Sequence, residues 1–236
     1  MLKLIRYSSL ALLLFVAGLW GWAWTSRAPG ESVGEAFAQR LAGIFGAQLP
    51  VPAAGGVAGS AGGMQLPPGM TLGGPFALVN QDGAAVTEAN FAGRWMLVYF
   101  GFTYCPDVCP TELGTIAAAL DAMGTGGEGV VPVLVSVDPQ RDTPAQLKDY
   151  VSRFHPRMQG LTGTPEQVAE AARRYRVYYA RAQRPDNTDY TMDHSSFIYL
   201  VGPDGRVRTM FRPETTPEAL AAAVSVQMRS GPRGAS

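Results

Sequence analysis

The sequence predicts an α/β fold in which a central sheet is flanked by helices, beginning at about residue 75. Two continuous apolar runs, 94–102 and 130–138, are rich in β-branched and aromatic residues, as is typical of buried strands. Segments with helical periodicity follow each run, and several open with a Thr-Pro pair. Pro203 to Gly205 separate the last two strand-like segments as a turn. Alternating strands and helices, ending in a hairpin and a helix, indicate this class.

The individual elements can be assigned in chain order. PFALVN and AAV predict a hairpin that turns at Asp82 and Gly83. The first buried strand is followed by a helix that starts near Pro110 and ends at the glycines of GTGGEG. The remaining predicted elements are helices over DTPAQLKDYVSRF, TPEQVAEAARRY and TPEALAAAVSVQMR, and strands over VYYARA, SFIYLVG and RVRTMFR.

An uncharged apolar segment near the N-terminus predicts a membrane anchor. Lys3 and Arg6 precede it, and no charged residue occurs from Tyr7 to Thr25, about the length that a helix needs to cross a bilayer. A cleaved signal peptide is the alternative, although no small-residue cleavage site follows. Residues 1–27 are therefore predicted to be a transmembrane helix whose positive flank stays in the cytoplasm, with the rest of the chain exported.

The segment that follows the anchor, residues 28–70, differs from the domain in composition. Its first part has apolar residues at helical spacing, which predicts a short amphipathic helix. Its second part is rich in Gly, Pro and Ala and has few charges, which predicts a flexible tether. The folded domain is then expected to occupy residues 71–236.

Composition argues against two classes of protein. Lys and Arg together number 19, as do Asp and Glu, so the formal net charge is zero, and nucleic acid, whose binding requires a basic surplus, is not an expected partner. Two cysteines in 236 residues do not make a disulfide-stabilised scaffold. The core must therefore come from ordinary apolar burial.

Those two cysteines, Cys105 and Cys109, lie in the loop between a predicted buried strand and the next helix. Ligands of open α/β sheets bind at this edge, and a helix N-terminus favours a thiolate. The residues leave open a structural disulfide, a redox couple, a peroxide-reducing site and a metal site. A disulfide across so short a loop stabilises little, and redox couples of exported thioredoxin-like proteins use C-x-x-C spacing. CPTE resembles the peroxidatic segment of peroxiredoxins, but Pro106 stands where that family has threonine.

A metal site requires a third ligand, and the sequence contains only two histidines. His155 precedes Pro156 at the end of a predicted helix, among charged residues, and is expected to face solvent. His194 follows a polar loop and comes just before a predicted buried strand, which makes it the candidate. Two thiolates and one imidazole suit copper, Cu(I) especially, whereas zinc prefers a fourth protein ligand in a closed site.

Three separated stretches, YFGFTYCPDVCPTEL, VSVDPQRDTPAQL and YTMDHSSFIYLVGPDG, resemble the signature motifs of the Sco/SenC family. They occur in the family's order, and the resemblance covers roughly residues 70–230. The family comprises membrane-anchored copper proteins with a thioredoxin fold. The resemblance thus implies a thioredoxin-like domain that binds one copper ion per chain, as Cu(I) or Cu(II), through Cys105, Cys109 and His194.

The same resemblance implies a metallochaperone that delivers copper to the Cu(A) site of cytochrome c oxidase during its assembly. The expected partners are an upstream copper donor protein, the oxidase subunit that carries Cu(A), and the membrane. The expected location is the bacterial inner membrane, with the domain in the periplasm. Other family members resemble thiol–disulfide oxidoreductases or redox sensors, so an enzyme with Cys105 and Cys109 as its redox pair remains the alternative.

Acidic residues and a methionine near these motifs are lesser candidates. Asp193 adjoins His194 and is a candidate fourth ligand or hydrogen-bond partner of the imidazole. Asp107, between the cysteines, either tunes the thiolate charge or faces water. Met192 is a further copper candidate. A turn-forming or capping role is the alternative for both aspartates.

The stretch VDPQRDTP is expected to be structural. Asp138 is predicted to hold its loop together with Arg141 and Asp142. Three aromatic residues of the preceding buried strand are expected in the core and in the wall of the site: Tyr99, Phe100 and Phe102.

Overall fold

An eight-stranded mixed sheet forms the centre of the computed structural model, which describes residues 63–183 and 189–230 and, before them, Gly18 alone. The strands are β1 (Met64–Gln65), β2 (Ala77–Asn80), β3 (Ala85–Thr87), β4 (Trp95–Gly101), β5 (Val130–Ser136), β6 (Gln159–Thr162), β7 (Tyr179–Gln183), β8 (Tyr190–His194), β9 (Ile198–Val201) and β10 (Val207–Phe211). The described residues thus form ten strands, eight of them in this sheet and two, β7 and β8, in a separate pair. The helices are α1 (Val108–Met123), α2 (Pro144–Ser152), α3 (Pro165–Tyr175) and α4 (Pro217–Ser230).

The order of the strands in this sheet is β1-β10-β9-β4-β5-β6-β2-β3. The three central strands β4, β5 and β6 are parallel, and the remaining pairs are antiparallel. Every residue of β4 and β5 is buried, as their apolar runs predict. Because β4 and β5 are parallel neighbours, the loops that follow them leave the sheet at the same edge. The predicted class, a mixed sheet flanked by helices, is confirmed.

Helices α2 and α3 begin as their sequences predict. Each has a threonine at the N-cap and a proline directly after it, and each threonine forms a capping box with a glutamine three residues later. The four capping residues are Thr143 with Gln146 and Thr164 with Gln167. Helix α1 packs against α4 and against β4 and β5, whereas α2 packs against β6. Helix α1 begins at Val108, two residues before Pro110, so Cys109 lies in its first turn.

The N-terminal predictions fall mostly outside the described residues. Among the residues that the structure describes, no helix is both long and apolar enough to cross a membrane. The predicted anchor, residues 1–27, lies outside them except for Gly18, and so does most of the segment 28–70. All other described residues belong to one compact unit, Gly59–Ser236.

The folded unit begins earlier than residue 71. Met64 and Gln65 form β1, which pairs with Met210 and Thr209 of β10, although composition assigned them to the tether. Gly63 enters this strand with φ +65°, and a Cβ there would lie 2.3 Å from the Thr209 side chain. Close approach to β10 therefore orders a segment that its own sequence does not mark as a strand.

Strands β7 and β8 form a separate two-stranded hairpin. Its register pairs Tyr179 with His194 and Gln183 with Tyr190, so His194 is the last residue of β8. The sequence predicted β7 but no strand over Tyr190–His194, because these residues lack an alternating apolar pattern. Pairing with β7 makes them a strand.

His155 does not face solvent, so the prediction for this residue is wrong. Its side chain is buried, its Nδ1 accepts a hydrogen bond from the Arg157 backbone N–H at 3.1 Å, and its Nε2 lies 3.9 Å from Asp121 Oδ1. The turn after α2 packs against the end of α1, which removes the imidazole from water. Burial lowers the pKa of His155, and the role of this residue is structural.

Candidate metal centre

The two cysteines occupy different environments in the loop between β4 and α1. Cys105 is partly buried in the loop, whereas Cys109 in the first turn of α1 is fully buried, and both are free thiols. The Cys109 backbone N–H donates a hydrogen bond to Cys105 Sγ at 3.4 Å. The start of the helix therefore directs an N–H group at the Cys105 sulfur, which favours a thiolate there.

Gly101, the last residue of β4, allows Cys109 to reach this position. A Cβ at residue 101 would lie 2.9 Å from Cys109 Sγ and 2.8 Å from a ring carbon of Tyr99. A larger residue would therefore push the sulfur or the ring out of place.

The end of β8 brings His194 to the cysteines. Its Nε2 lies 3.4 Å from Cys109 Sγ, and its Nδ1 lies 3.1 Å from the Ser195 carbonyl oxygen. A carbonyl oxygen only accepts hydrogen bonds, so Nδ1 carries the hydrogen of the neutral imidazole. The Nε2 lone pair is consequently directed toward the sulfurs and is available to a metal ion.

Two aromatic rings hold this imidazole from the side of the core. Tyr99 and Phe102 contact it edge-on, with ring centroids 6.0 Å and 5.8 Å away and interplanar angles of 82° and 88°. Tyr99, Phe100 and Phe102 are all fully buried, as predicted. The apolar wall limits the movement of His194 and keeps water away from this side of the site.

One sulfur from each cysteine and one nitrogen from His194 all lie within 4.8 Å of one another. At distances typical of zinc sites, about 2.0 Å to nitrogen and 2.3 Å to sulfur, the donor atoms of one tetrahedral centre lie about 3.5–4 Å apart. The three groups can therefore close on one metal ion with small shifts. Two thiolates and an imidazole favour a soft ion.

The pKa values of the two thiols are shifted in opposite directions. The hydrogen bond from the Cys109 thiol, supported by the backbone N–H groups of Asp107 and Cys109, lowers the pKa of Cys105 to about 4. The pKa of Cys109 is raised by its hydrogen bond to Cys105, by burial and by the neighbouring thiolate charge. Cys105 is therefore ionised at neutral pH and Cys109 is protonated, so binding of a cation by both sulfurs must release the Cys109 proton.

A cavity of about 320 Å³ opens onto the site. Cys105 and His194 border it, whereas Cys109 is covered. The other lining residues are Phe102, Pro106, Asp107, Val108, Thr191, Met192, Asp193 and Ser196. A molecule in solution can thus reach two of the three donors directly.

The lesser candidates lie at the rim of this cavity. Asp193 is exposed and is not one of the three grouped donors, and Nδ1 of His194 bonds to the Ser195 carbonyl instead. Asp107 is exposed at the N-cap position of α1, where its side chain makes no capping hydrogen bond. Met192 is partly buried and packs against the core.

The loop after β5 anchors the cysteine loop, and the predicted structural role of its charged residues is confirmed. Asp142 accepts hydrogen bonds from the Thr103 N–H at 3.0 Å, the Thr103 hydroxyl at 2.6 Å and the Ser136 hydroxyl at 2.6 Å. Asp138 forms an ion pair with Arg141, with Oδ2 and Nε 2.5 Å apart. The edge of the sheet thereby carries a rigid support next to the site.

One buried acid near the site did not emerge from the sequence. Glu112 lies one helical turn after Cys109, is 1% exposed, and its Oε2 has no hydrogen-bond partner. Burial, with a contribution from the Glu214 charge, raises the pKa of Glu112 to about 7. The i,i+3 spacing from Cys109 on a helix was the signal that could have placed it on the buried face.

The sequence of this chain is similar to those of several known proteins. The SCO1/SenC family model matches residues 65–229. The Arabidopsis thaliana protein named Protein SCO1 homolog 1, mitochondrial, is 52% identical over 134 residues, which cover 56% of this chain and 40% of that protein. The chain spans 53% of the human mitochondrial SCO1 homologue, about half of its length.

Solved structures match over the same region. The crystal structure of Arabidopsis thaliana ScoI with copper bound is 45% identical, with a TM-score of 0.64, and the match covers 67% of this chain and 98% of that one. The structure of BsSco is 28% identical, with a TM-score of 0.52, and the match covers 68% of this chain and 98% of that one. BsSco is described as a member of the Sco family of cytochrome c oxidase assembly proteins and as having a disulfide switch. The predicted resemblance is confirmed, and the chain belongs to the SCO1/SenC family.

Proposed function

We propose that this protein binds one copper ion per chain through Cys105, Cys109 and His194, and delivers it to the Cu(A) site of cytochrome c oxidase during assembly. The observation that carries the proposal is the convergence of two sulfurs and one imidazole nitrogen within 4.8 Å of one another. Copper in the Arabidopsis relative and the oxidase-assembly role stated for BsSco support it.

The donor set fits copper as cargo. Thiolates are soft ligands that hold Cu(I) with low coordination number, and the imidazole nitrogen also stabilises Cu(II). The Ser195 carbonyl fixes the tautomer of His194, so Nε2 is ready to bind without rearrangement. Loading then requires the loss of one proton, from Cys109.

Release would proceed by ligand exchange through the open cavity. A thiolate of the acceptor can approach Cys105 and His194 from solvent, because both border this cavity. Oxidation of Cys105 and Cys109 to a disulfide would remove both sulfur ligands, so copper loading and thiol oxidation compete for the same atoms.

The proposed setting is the bacterial inner membrane. We infer from the charge-flanked apolar segment that residues 1–27 anchor the chain, with the N-terminus in the cytoplasm and the domain in the periplasm. A copper donor protein in the same compartment and the oxidase subunit that carries Cu(A) are the proposed partners.

A thiol–disulfide oxidoreductase is the second candidate, and one observation favours it. Cys105 is accessible from the cavity and has a pKa of about 4, which are properties of an attacking thiol. A peroxide-reducing role has less support, because the CPTE segment would make Cys109 the reactive thiol. Cys109 is fully buried and its pKa is raised, the opposite of what such a residue needs.

The test is a metal titration of the purified full-length chain, reduced and handled without oxygen in detergent. We expect one copper per chain, and a sulfur-to-copper charge-transfer band in the Cu(II) form. Variants with serine at both cysteines should bind no copper at this site. Equal copper uptake by the serine variant, or none by the reduced unsubstituted chain, would refute the proposal.

A further inference from the structure

The two halves of the metal centre belong to separate parts of the fold. The cysteines follow β4 of the main sheet, whereas His194 ends the hairpin β7–β8, which is not hydrogen-bonded into that sheet. The hairpin is paired within itself along its whole length, from Tyr179 with His194 to Gln183 with Tyr190. Apart from its covalent connection to β9 through residues 195–197, its position relative to the cysteine loop therefore depends on side-chain contacts.

Arg141 contacts both parts. Its Nη1 donates a hydrogen bond to the Tyr190 carbonyl oxygen at 3.0 Å, and its guanidinium carbon lies 3.7 Å from the centre of the Tyr190 ring. On the side of the cysteine loop, the same carbon lies 4.7 Å from the ring centre of Tyr104 and 6.0 Å from that of Phe102. The Arg141 guanidinium thus contacts both the first residue of β8 and two aromatic residues, Phe102 and Tyr104, that precede Cys105.

Tyr190 is held on both faces and at its hydroxyl. Arg181 of β7 lies 3.5 Å from the ring centre, and two guanidinium groups this close to one ring must lie on opposite faces because they would otherwise overlap. The Tyr190 hydroxyl donates a hydrogen bond to Asp138 Oδ1 at 2.8 Å, and the other oxygen of this carboxylate pairs with Arg141.

This contact is largely shielded from water. The Asp138 side chain is 4% exposed and that of Arg141 is 17% exposed. Ion pairs and cation–π contacts with so little solvent are stronger than exposed ones. Tyr190 and His194 are four residues apart on one strand, or about 13 Å, so a rotation of the hairpin at Tyr190 would displace the imidazole at the other end.

We propose that Arg141 is a positioning residue that holds the hairpin β7–β8 against the cysteine loop and so fixes His194 at its distance from Cys109. It is not a ligand, and it acts through His194. The part of the proposal that concerns copper rests on the proposed function, whereas the part that concerns the hairpin can be tested on the metal-free protein.

The first experiment measures hydrogen exchange of the β8 amides in the metal-free full-length chain. Arg141→Gln should lower their protection, while the amides of β4 and β5 keep theirs. Arg208→Gln is the matched control, because Arg208 also pairs with a nearby aspartate, Asp204, in a partly exposed ion pair. It lies on β10 next to the turn after β9, at the other end of the sheet from the cysteine loop. Unchanged protection of β8 in Arg141→Gln would overturn the proposal.

The second experiment measures Cu(II) affinity. Residues that orient a metal ligand typically change affinity about 10- to 100-fold, and we expect a loss of this size in Arg141→Gln and none in Arg208→Gln. In a His194→Ala background the same Arg141→Gln change should cause no further loss, because its effect passes through the imidazole. An equal loss with and without His194 would overturn the proposal.

Arg141→Lys separates charge from geometry. Lysine keeps a positive charge near Asp138 but has neither the planar group that stacks on Tyr190 nor the forked donors, so it should behave like glutamine in both experiments. Full retention of protection and affinity in the lysine variant would show that the stacked contact is not what holds the hairpin. If the unsubstituted chain binds no copper, the proposed function fails, and the exchange measurement still decides the role of Arg141.

Discussion

The Nε2 atom of His194 lies 3.4 Å from the Sγ atom of Cys109, although the two residues are 85 positions apart in the chain. Cys109 is placed by the first turn of α1 and His194 by the last residue of β8. The distance is therefore a property of the whole fold, and a change at either residue tests the site in a different way.

Substitution of His194 should discriminate between the two copper oxidation states. His194→Ala leaves two thiolates, which can still hold Cu(I) in a linear arrangement but hold Cu(II) poorly, since Cu(II) favours nitrogen donors and more ligands. We expect a large loss of Cu(II) affinity, a smaller loss for Cu(I) and a failure of oxidase assembly. The disulfide between the cysteines should still form.

The matched control for this experiment is the other histidine. His155→Gln should lower the melting temperature, because His155 is buried, and should leave the affinity for both ions unchanged. Normal oxidase assembly in cells that carry His194→Ala would instead support the oxidoreductase.

Cys105 should react with iodoacetamide at acidic pH. Because its pKa is lowered to about 4, the thiolate is present at pH 6, where a free cysteine is almost entirely protonated. Cys109 should remain unmodified, since it is buried and its pKa is raised. Mass spectrometry of the labelled chain at pH 6 measures both rates, with the unfolded chain as control. A Cys105 rate that rises only above pH 8 would contradict the assignment of the thiolate.

The contribution of Glu112 to the stability of the protein should fall as pH rises through the titration of this acid. The pKa of this acid is raised from 4.5 to about 7 by burial, so the folded state binds its proton more tightly than the unfolded state. The stabilising effect is fully present below about pH 4.5 and is lost as pH rises through 7. Between pH 5 and pH 8 this loss should be on the order of 1–3 kcal/mol. The Cys105 thiolate, whose pKa is lowered, adds stability over the same range, so the loss is measured by urea unfolding as the difference between the unsubstituted chain and Glu112→Gln.

In Glu112→Gln this loss should be absent, because an amide does not titrate. Glu128→Gln serves as the control at an exposed site and should preserve the loss. If Glu112→Gln and the unsubstituted chain lose equal stability between the two pH values, Glu112 is not the titrating group.

A methyl group at Gly101 should damage the site, whereas the same change at Gly114 should not. Gly101→Ala places a Cβ 2.9 Å from Cys109 Sγ, so we expect destabilisation of about 1–3 kcal/mol and weaker copper binding. Gly114 lies inside α1 with nothing within 4 Å of its Cβ position, and alanine there should stabilise the helix by about 0.5–1 kcal/mol. Thermal melting and copper titration of both variants provide the comparison, and equal effects would disprove it.

A reporter fused after residue 236 tests the proposed location. Reporters that work only outside the cytoplasm should be active in this fusion, because Lys3 and Arg6 are expected to stay inside. Exchanging these two residues for glutamate should reduce the export. Activity of a cytoplasm-specific reporter at the same position would overturn both the location and the oxidase hypothesis.

The sequence predicted those elements whose own residues determine them. Strands β4 and β5 are apolar throughout, and the threonine caps of α2 and α3 are local signals. Strands β1, β6 and β8 were missed because they are short or polar. The hydrogen bonds of β1 and β6 depend on partners far away in the chain, and β8 is a strand only through its pairing with β7. Local pattern carries no information about such pairing.

The same distinction applies to the site. Cys105, Cys109 and His194 were proposed from motif resemblance, and the structure brings them together. The Ser195 carbonyl that orients the imidazole could not be foreseen, because it depends on the local backbone conformation. The stack of Arg141 on Tyr190 could not be foreseen either, because it depends on a tertiary contact. Burial of His155 was missed for the same reason, since it arises from packing of the turn after α2 on α1.

In the proposed delivery of copper, the unequal exposure of the two sulfurs would give the transfer a direction. Cys109 is sealed behind the ring of Tyr99 and the first turn of α1, whereas Cys105 and His194 border the open cavity. An acceptor can displace the imidazole or the outer sulfur first, and the bond to Cys109 is then the last to break. In this proposed exchange the inner cysteine would retain the ion until the acceptor had supplied other ligands, which would prevent release of copper into solution.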